Sequence, residues 1–321
     1  MPLAGRRSSI LAVLVLTLSA SFAHAEPFAL LASAKGRVEV TPGSGGTAAR
    51  ASFGRALERG DKVTVGPGGA ATIYFSDGNV IELGEKSSVT VGGRVANRSA
   101  AGPGALPGNV YAQVSKVVTG GSRETGLVAI SQMRSAPETS ALALAPRQSA
   151  VLGERPEFAW RAVPGATRYV VRVSGDGGAL WSRETGGTSL PWPADADPLA
   201  ADAEYEWTVE AHKGDETLRA ETCAFRVMGA EASSALRADL ARIDESAGGR
   251  ERPAALYLSG SYLLARGVLH DAISRFQRLG ALEPDAPAPH EALGRAYRAA
   301  GLMDQAANEF QRALELTKNS P

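Results

Sequence analysis

The chain has one cysteine, Cys223, and four histidines among 321 residues. A lone thiol permits no internal disulfide. His24, His212, His270 and His290 are scattered without metal-ligand spacing. An excess of charge of either sign is missing too. Lys and Arg number 34 against 34 Asp and Glu, which leaves no basic surplus to bind nucleic acid or an anionic membrane. No apolar run approaches the ~20 residues of a spanning helix, so stable membrane insertion is not expected. There is no glycine-flanked nucleophilic serine, H-E-x-x-H, C-x-x-C or phosphate loop. Carboxylates are plentiful, but no general acid/base pair stands out among them. The expectation is a protein that is not an enzyme and takes no cofactor and no metal.

Arg6 and Arg7 precede an apolar stretch over 10–18, which leads to Ala23-His24-Ala25. This is the layout of a secretory signal peptide over 1–25, cleaved before Glu26. Ser8-Ser9 follows the arginine pair where a twin-arginine signal prefers bulky apolar residues, so general secretion to the periplasm is expected. Removing 25 of 321 residues leaves 296 (321 − 25) with a formal charge of −2 (32 − 34), enough for two or three domains.

Residues 26–92 read as short strands between glycine-rich turns. Val38 and Val40 alternate with polar neighbours. So do Val63 and Val65, then Ala71, Ile73 and Phe75, up to the hairpin signal Asp77-Gly78. Ile81, Leu83, Val89 and Val91 continue the buried face. With Leu57, Gly60, Asp61, Asp77, Gly78, Leu83 and Ser87 in this order, the segment resembles the FecR domain, a periplasmic module. The resemblance implies a β-rich fold and a periplasmic location. It does not carry over the transmembrane sigma-regulator role of such proteins, because only a few residues precede the apolar stretch. Their glycines and aspartates shape turns.

Residues 93–146 are rich in Gly, Ala, Ser and Pro and read as a linker, with Gly102-Pro-Gly104 and Ala136-Pro-Glu as its clearest stretches. Within it, Val110, Val114, Val117 and Val118 predict a short amphipathic helix lying against the preceding sheet. Residues 147–228 return to strand spacing. Phe158 and Trp160 come first, then Tyr169, Val171 and Val173, then Tyr205, Trp207 and Val209, and finally Cys223, Phe225 and Val227. Trp160, together with Leu199 six residues before Tyr205, resembles a fibronectin type III sandwich with its tyrosine corner. Trp181 and Trp192 fit the core or its loops better than a glycan platform. Cys223 fits a buried apolar thiol.

From Glu231 the period becomes helical, with Leu236, Leu240 and Ile243 on one stripe. Residues 253–286 and 287–320 are then one 34-residue unit written twice. The repeat pairs Pro253 with Pro287, Gly260 with Gly294, Gly267 with Gly301, Ala272 with Ala306, Phe276 with Phe310 and Leu282 with Leu316. The spacing resembles the tetratricopeptide (TPR) helix hairpin. Gly260 and Gly294 let two helices approach, Gly267 and Gly301 sit in the turn, and the phenylalanines pack the second helix back onto the first. Two units fall short of the ~3 that make a stable array, so the 231–246 helix is expected to cap it.

The TPR resemblance implies a concave groove lined by the first helix of each unit, which nominates Tyr257, Ser261, Leu264, Glu291, Arg295 and Arg298. Two arginines beside an exposed tyrosine would grip an acidic or C-terminal segment. The competing reading is a solvated face with an i,i+4 ion pair, Glu291 with Arg295. The chain as a whole is expected to be multidomain: a β-rich FecR-like domain (26–92), a linker (93–146), a β-sandwich (147–228) and an all-α C-terminal TPR helical-repeat module (229–321). The expected role is a non-enzymatic periplasmic scaffold or sensor-type adaptor for an envelope protein or peptide. The alternative is a cell-wall protein that binds peptidoglycan or another glycan. Mass spectrometry of the envelope-fraction protein should find Glu26 at the N-terminus, whereas an intact Met1 or Pro2 terminus in the membrane fraction would revive an anchored regulator.

Overall fold

The computed structural model describes residues 27–51, 53–77, 79–92, 106–121 and 140–319. The expected signal peptide, Gly78 of the hairpin motif and the two linker stretches around Gly102-Pro-Gly104 and Ala136-Pro-Glu lie outside the described residues. The chain is β-rich first and helical at its C-terminal end, as its changing periodicity predicts.

The first part is two four-stranded sheets. One has the order β4-β1-β6-β7, from β1 (Ala29–Lys35), β4 (Arg55–Leu57), β6 (Ala70–Phe75) and β7 (Val80–Leu83). The other has the order β3-β2-β5-β8, from β2 (Val38–Thr41), β3 (Ala49–Arg50), β5 (Lys62–Val65) and β8 (Ser88–Thr90). Successive side chains in a strand point to opposite faces. Leu31 and Ile73 are cross-strand neighbours and face the inner core with Val38, Val40 and Val63. Leu30 and Tyr74, the adjacent pair, face the other way into a second core shared with the helices. The first sheet is therefore buried on both faces, and this is why β1 reads as a continuous Ala-Leu-Leu-Ala run rather than an alternation. Asp61 shapes its turn as expected: its carboxylate accepts from Gly43 N at 3.0 Å and Glu58 N at 3.1 Å.

The predicted valine helix forms as α1 (Gly108–Gly121). It was expected to lie against the preceding sheet, and its main partner is instead a helix, α3 (Pro253–Ala265). Thirteen residues of α3 contain no charge, and every position from Ala254 to Leu263 is buried. A helix apolar all round has no solvent face to offer, so it takes up the stripe of α1. Of the strands in the sheet, β4 is the main contact of α1.

Residues 143–227 form a two-sheet sandwich. Its five-stranded sheet has the order β10-β16-β15-β12-β13, from β10 (Ser149–Val151), β12 (Arg168–Gly175), β13 (Gly178–Thr185), β15 (Glu204–Lys213) and β16 (Glu216–Val227). Its three-stranded sheet has the order β14-β11-β9, from β9 (Ala143–Ala145), β11 (Glu157–Trp160) and β14 (Ser189–Pro191). Trp160, Trp192, Leu199, Tyr205, Trp207 and Cys223 all lie in its core. The Tyr205 hydroxyl donates to Ala200 O at 3.2 Å, the back-reaching bond of a tyrosine corner. Trp192 donates its indole N–H to Asp197 O at 3.0 Å and keeps no free face for a sugar.

The helices α2 (Ala230–Ser246), α3, α4 (Leu269–Leu282), α5 (Pro287–Ala299) and α6 (Met303–Asn319) complete the chain. The 34-residue repeat builds two hairpins, α3/α4 and α5/α6. A Cβ on Gly260 would stand 2.5 Å from the Phe276 ring, and one on Gly294 would stand 2.6 Å from Phe310. Gly267 and Gly301 turn each hairpin at φ 72° and 73°. The α2 helix contributes Leu236 and Ile243 to the shared core, so it covers the array as expected but supplies only part of the cover. Gly260→Ala should therefore lower stability by about 1–3 kcal/mol through overpacking. Gly280→Ala, whose Cβ would meet nothing nearer than Pro289 at 3.8 Å, should raise it by up to about 1 kcal/mol. Urea unfolding of the two variants checks both signs.

Candidate functional site

The nominated residues come together around α3 and α5, but not as an open groove. Tyr257 is only 3% exposed and Ser261 1%, which corrects the expectation of an exposed tyrosine. Tyr257 meets Phe53 edge-on at 5.8 Å, and its hydroxyl points at Gly54 O, 3.5 Å away. Gly54 sits at φ 79°, where a Cβ would run into that hydroxyl. Leu264 is partly buried against the same core. The cause is again the apolar surface of α3, which draws the N-terminal sheet and α1 onto the face that a repeat array would leave open.

Arg295 lies at the edge of this contact with its side chain 12% exposed. Its Nη1 donates to Val117 O of α1 at 3.2 Å, its Nε to Glu291 O at 3.2 Å and its Nη2 to Glu291 Oε2 at 3.3 Å. The expected i,i+4 ion pair is therefore present, with Arg295 covered against α1 and the Glu291 side chain still 36% exposed. Burial pushes the Glu291 carboxyl up, and Arg295 opposes that shift. Carbonyls in the last turn of a helix carry its negative end. The last turn of α1 holds no basic residue of its own, and Arg295 of α5 sets its cation one residue before that turn, at Val117 O. Arg298, in the last turn of α5, is partly exposed.

Tyrosine hydroxyls tie the parts together, and the sequence reading did not single them out for this. Tyr74 of β6 donates to Ser246 O at the end of α2 at 2.9 Å. Tyr111 of α1 donates to Pro27 O at 2.7 Å, and Tyr262 of α3 donates to Asp239 of α2 at 2.6 Å. Asp239 also accepts from Asn109 of α1 at 3.4 Å and from Arg242 at 3.2 Å. The available signal was Tyr74 standing beside Ile73 in a strand, a large side chain on the face that alternation assigns to solvent.

Among the described residues no group of three or more His, Cys, Asp or Glu could hold a metal ion. His212 bonds Glu210 and Thr217, and His290 bonds Glu309 at 2.7 Å. Burial pushes the Cys223 thiol up to about 11, although Arg147 donates to its sulfur at 2.9 Å. A cleft of about 330 Å³ opens between β10, β16 and the turn at Gly267, lined in part by Glu204, Arg226 and Arg266.

No protein-family model matches the chain, and no curated protein is detectably similar to it. Among solved structures, the fn3 domain of human collagen alpha-1(XX) chain is 20% identical with a TM-score of 0.22, covering 30% of this chain and 94% of that one. The fibronectin(III)-like modules of Clostridium thermocellum CbhA are 16% identical with a TM-score of 0.22, covering 61% of this chain and 80% of that one. At these values neither likeness bears on what this chain binds.

Arg295→Glu would set a second carboxylate against Glu291 and the Val117 carbonyl, and should cost about 2–3 kcal/mol. Arg298→Glu should cost less than about 1 kcal/mol. Comparing their thermal melts separates a cation buried in a contact from one on a surface. Alkali provides a second test. Burial pushes Tyr74 and Tyr262 up to about 12, above the ~10 of an unfolded tyrosine. Their contribution is therefore complete below about pH 10 and is lost as pH rises towards 12. Stability measured by urea should stay level up to about pH 9.5 and fall between 10 and 12, with a shallower fall in Tyr74→Phe.

Proposed function

We propose that the chain is a non-enzymatic scaffold or adaptor of the bacterial cell envelope that holds a protein partner on its helical-repeat face. The reading joins three resemblances in the sequence, a FecR-like module, a fibronectin-III-like sandwich and a TPR pair, to the signal-like N-terminus that directs such a chain to the periplasm. The observation that carries it is the Arg295 contact: the face nominated for partner binding already accepts a helix, and it does so through a backbone carbonyl at 3.2 Å. Recognition of an amphipathic helix by a groove is a recurrent mode of peptide binding.

A tagged mature chain should recover a defined protein from envelope extract, and recovery should survive digestion of the peptidoglycan. Cosedimentation with purified peptidoglycan, with no protein recovered, would overturn this reading in favour of a glycan-binding role for the β domains.

A further inference from the structure

The contact that α1 makes with α3 differs from those made by α2 and α4. The helices α2 and α4 are joined to α3 by 247–252 and 266–268, short connections that leave them little choice of neighbour. By contrast α1 is joined to β8 and β9 by 91–107 and 122–142, seventeen and twenty-one residues, so connection length does not force it onto α3. Its sequence is also poor for a helix. Val110, Val114, Val117, Val118 and Thr119 are β-branched, and glycine stands at 108, 120 and 121. It has no acidic residue in its first turn and no basic one in its last, so its own ends do not stabilise it. It is helical because it is docked.

Its docking contacts are of a kind that another helix could supply. Leu106, Val110, Tyr111, Val114 and Val118 enter the shared core as an uncharged stripe, and the side-chain bonds of Tyr111 to Pro27 O and of Asn109 to Asp239 are the two that a substitute would have to replace or forgo. Arg295 reads a main-chain carbonyl, Val117 O, a group that does not depend on the side chains of the helix lying there. Removing α1 would expose the apolar side of α3, which tolerates vacancy badly but accepts a substitute.

We propose that α1 is an exchangeable occupant in cis of the face formed by α3 and α5. The partner whose place it holds is an amphipathic helix with apolar residues spaced as Val110, Tyr111, Val114 and Val118, a backbone carbonyl of its C-terminal half at Arg295. This rests on reading the repeat face as a protein-binding surface. Release of α1 and entry of the partner are competing events, so the cis helix sets the affinity that a partner must exceed. Partners with stronger helix formers at the exposed positions lose less order on binding and displace α1 more readily.

The test uses the full mature chain. In hydrogen exchange, the amides of 111–118 should exchange at least 100-fold faster than those of 257–264, because α1 leaves without global unfolding. Equal protection of the two segments would overturn the proposal and make α1 ordinary core. In a second measurement, a fluorescein-labelled peptide of residues 106–121 is titrated by anisotropy against the wild type and against Val110→Ala/Val114→Ala. The variant, checked as folded by circular dichroism, should bind at least tenfold more tightly than the wild type. Equal binding, or none to a folded variant, contradicts the proposal. So does a dimer that excludes the peptide, which would give the face to a second copy's α1. If the variant does not fold, exchange on the wild type decides alone. Rapid exchange of α1 with no envelope protein captured would sink the adaptor reading and leave the exchangeable helix standing. Full protection of α1 with a protein captured would do the reverse.

Discussion

The C-terminal helices, α1 and the outer face of the first sheet are arranged around one helix that cannot meet water. The α3 helix has ten consecutive buried positions from Ala254 to Leu263, and the hydrophobic effect, at about 25 cal/mol per Å² of apolar surface, requires a cover on all sides. Its repeat partner α4 covers one side, with Phe276 set against Gly260. The α2, α5 and α1 helices and the outer face of the first sheet supply the others. Three tyrosines inside this contact are paired across it: Tyr262 with Asp239, Tyr74 with Ser246 O, Tyr111 with Pro27 O. A buried hydroxyl without a partner costs about 1–3 kcal/mol. Such pairs therefore add to the fit the requirement that each piece sit in one position.

The sandwich joins this assembly at the hairpin turns rather than at α3. Ala150 N donates to Gly267 O at 2.9 Å, and the Ser149 hydroxyl accepts from Leu269 N at 2.9 Å, meeting a free donor in the first turn of α4. Arg147 donates to Ala300 O at 3.0 Å, and Arg161 pairs with Asp304 at 2.8 Å. The two turns that the repeat places 34 residues apart thus both bond to the sandwich. The repeats have one edge on the sandwich and one face on the N-terminal sheet.

Much of this was legible in the sequence. The repeat foretold both hairpins, including the role of Gly260 and Gly294, because a fixed spacing of small and aromatic residues admits few packings. Alternation located the strands and the sandwich core around Trp160 and Trp207. What it did not show was how the parts meet. Tyr257, Ser261 and Leu264 looked like groove residues by analogy with a repeat array, and the analogy hid a plainer signal: no charge occurs from Pro253 to Ala265. The Ala-Leu-Leu-Ala run of β1 carried the same message from the other side, since a strand apolar at every position is covered twice. Periodicity reports which face of an element is buried, and it does not report against what. The destination of α1 was open for that reason, and Arg295 reads as a surface cation until the helix above it is placed.

The central claim is that the helical repeats owe their fold to a cover supplied from the N-terminal part of the chain. Circular dichroism of a fragment spanning residues 229–319 tests it most directly, by thermal melting beside the intact mature chain. The account predicts a broad, weakly cooperative loss of helix in the fragment and dye binding by its exposed apolar surface, against a sharp transition in the intact chain. A sharp transition in the fragment at the temperature at which the intact chain loses its helices would contradict it.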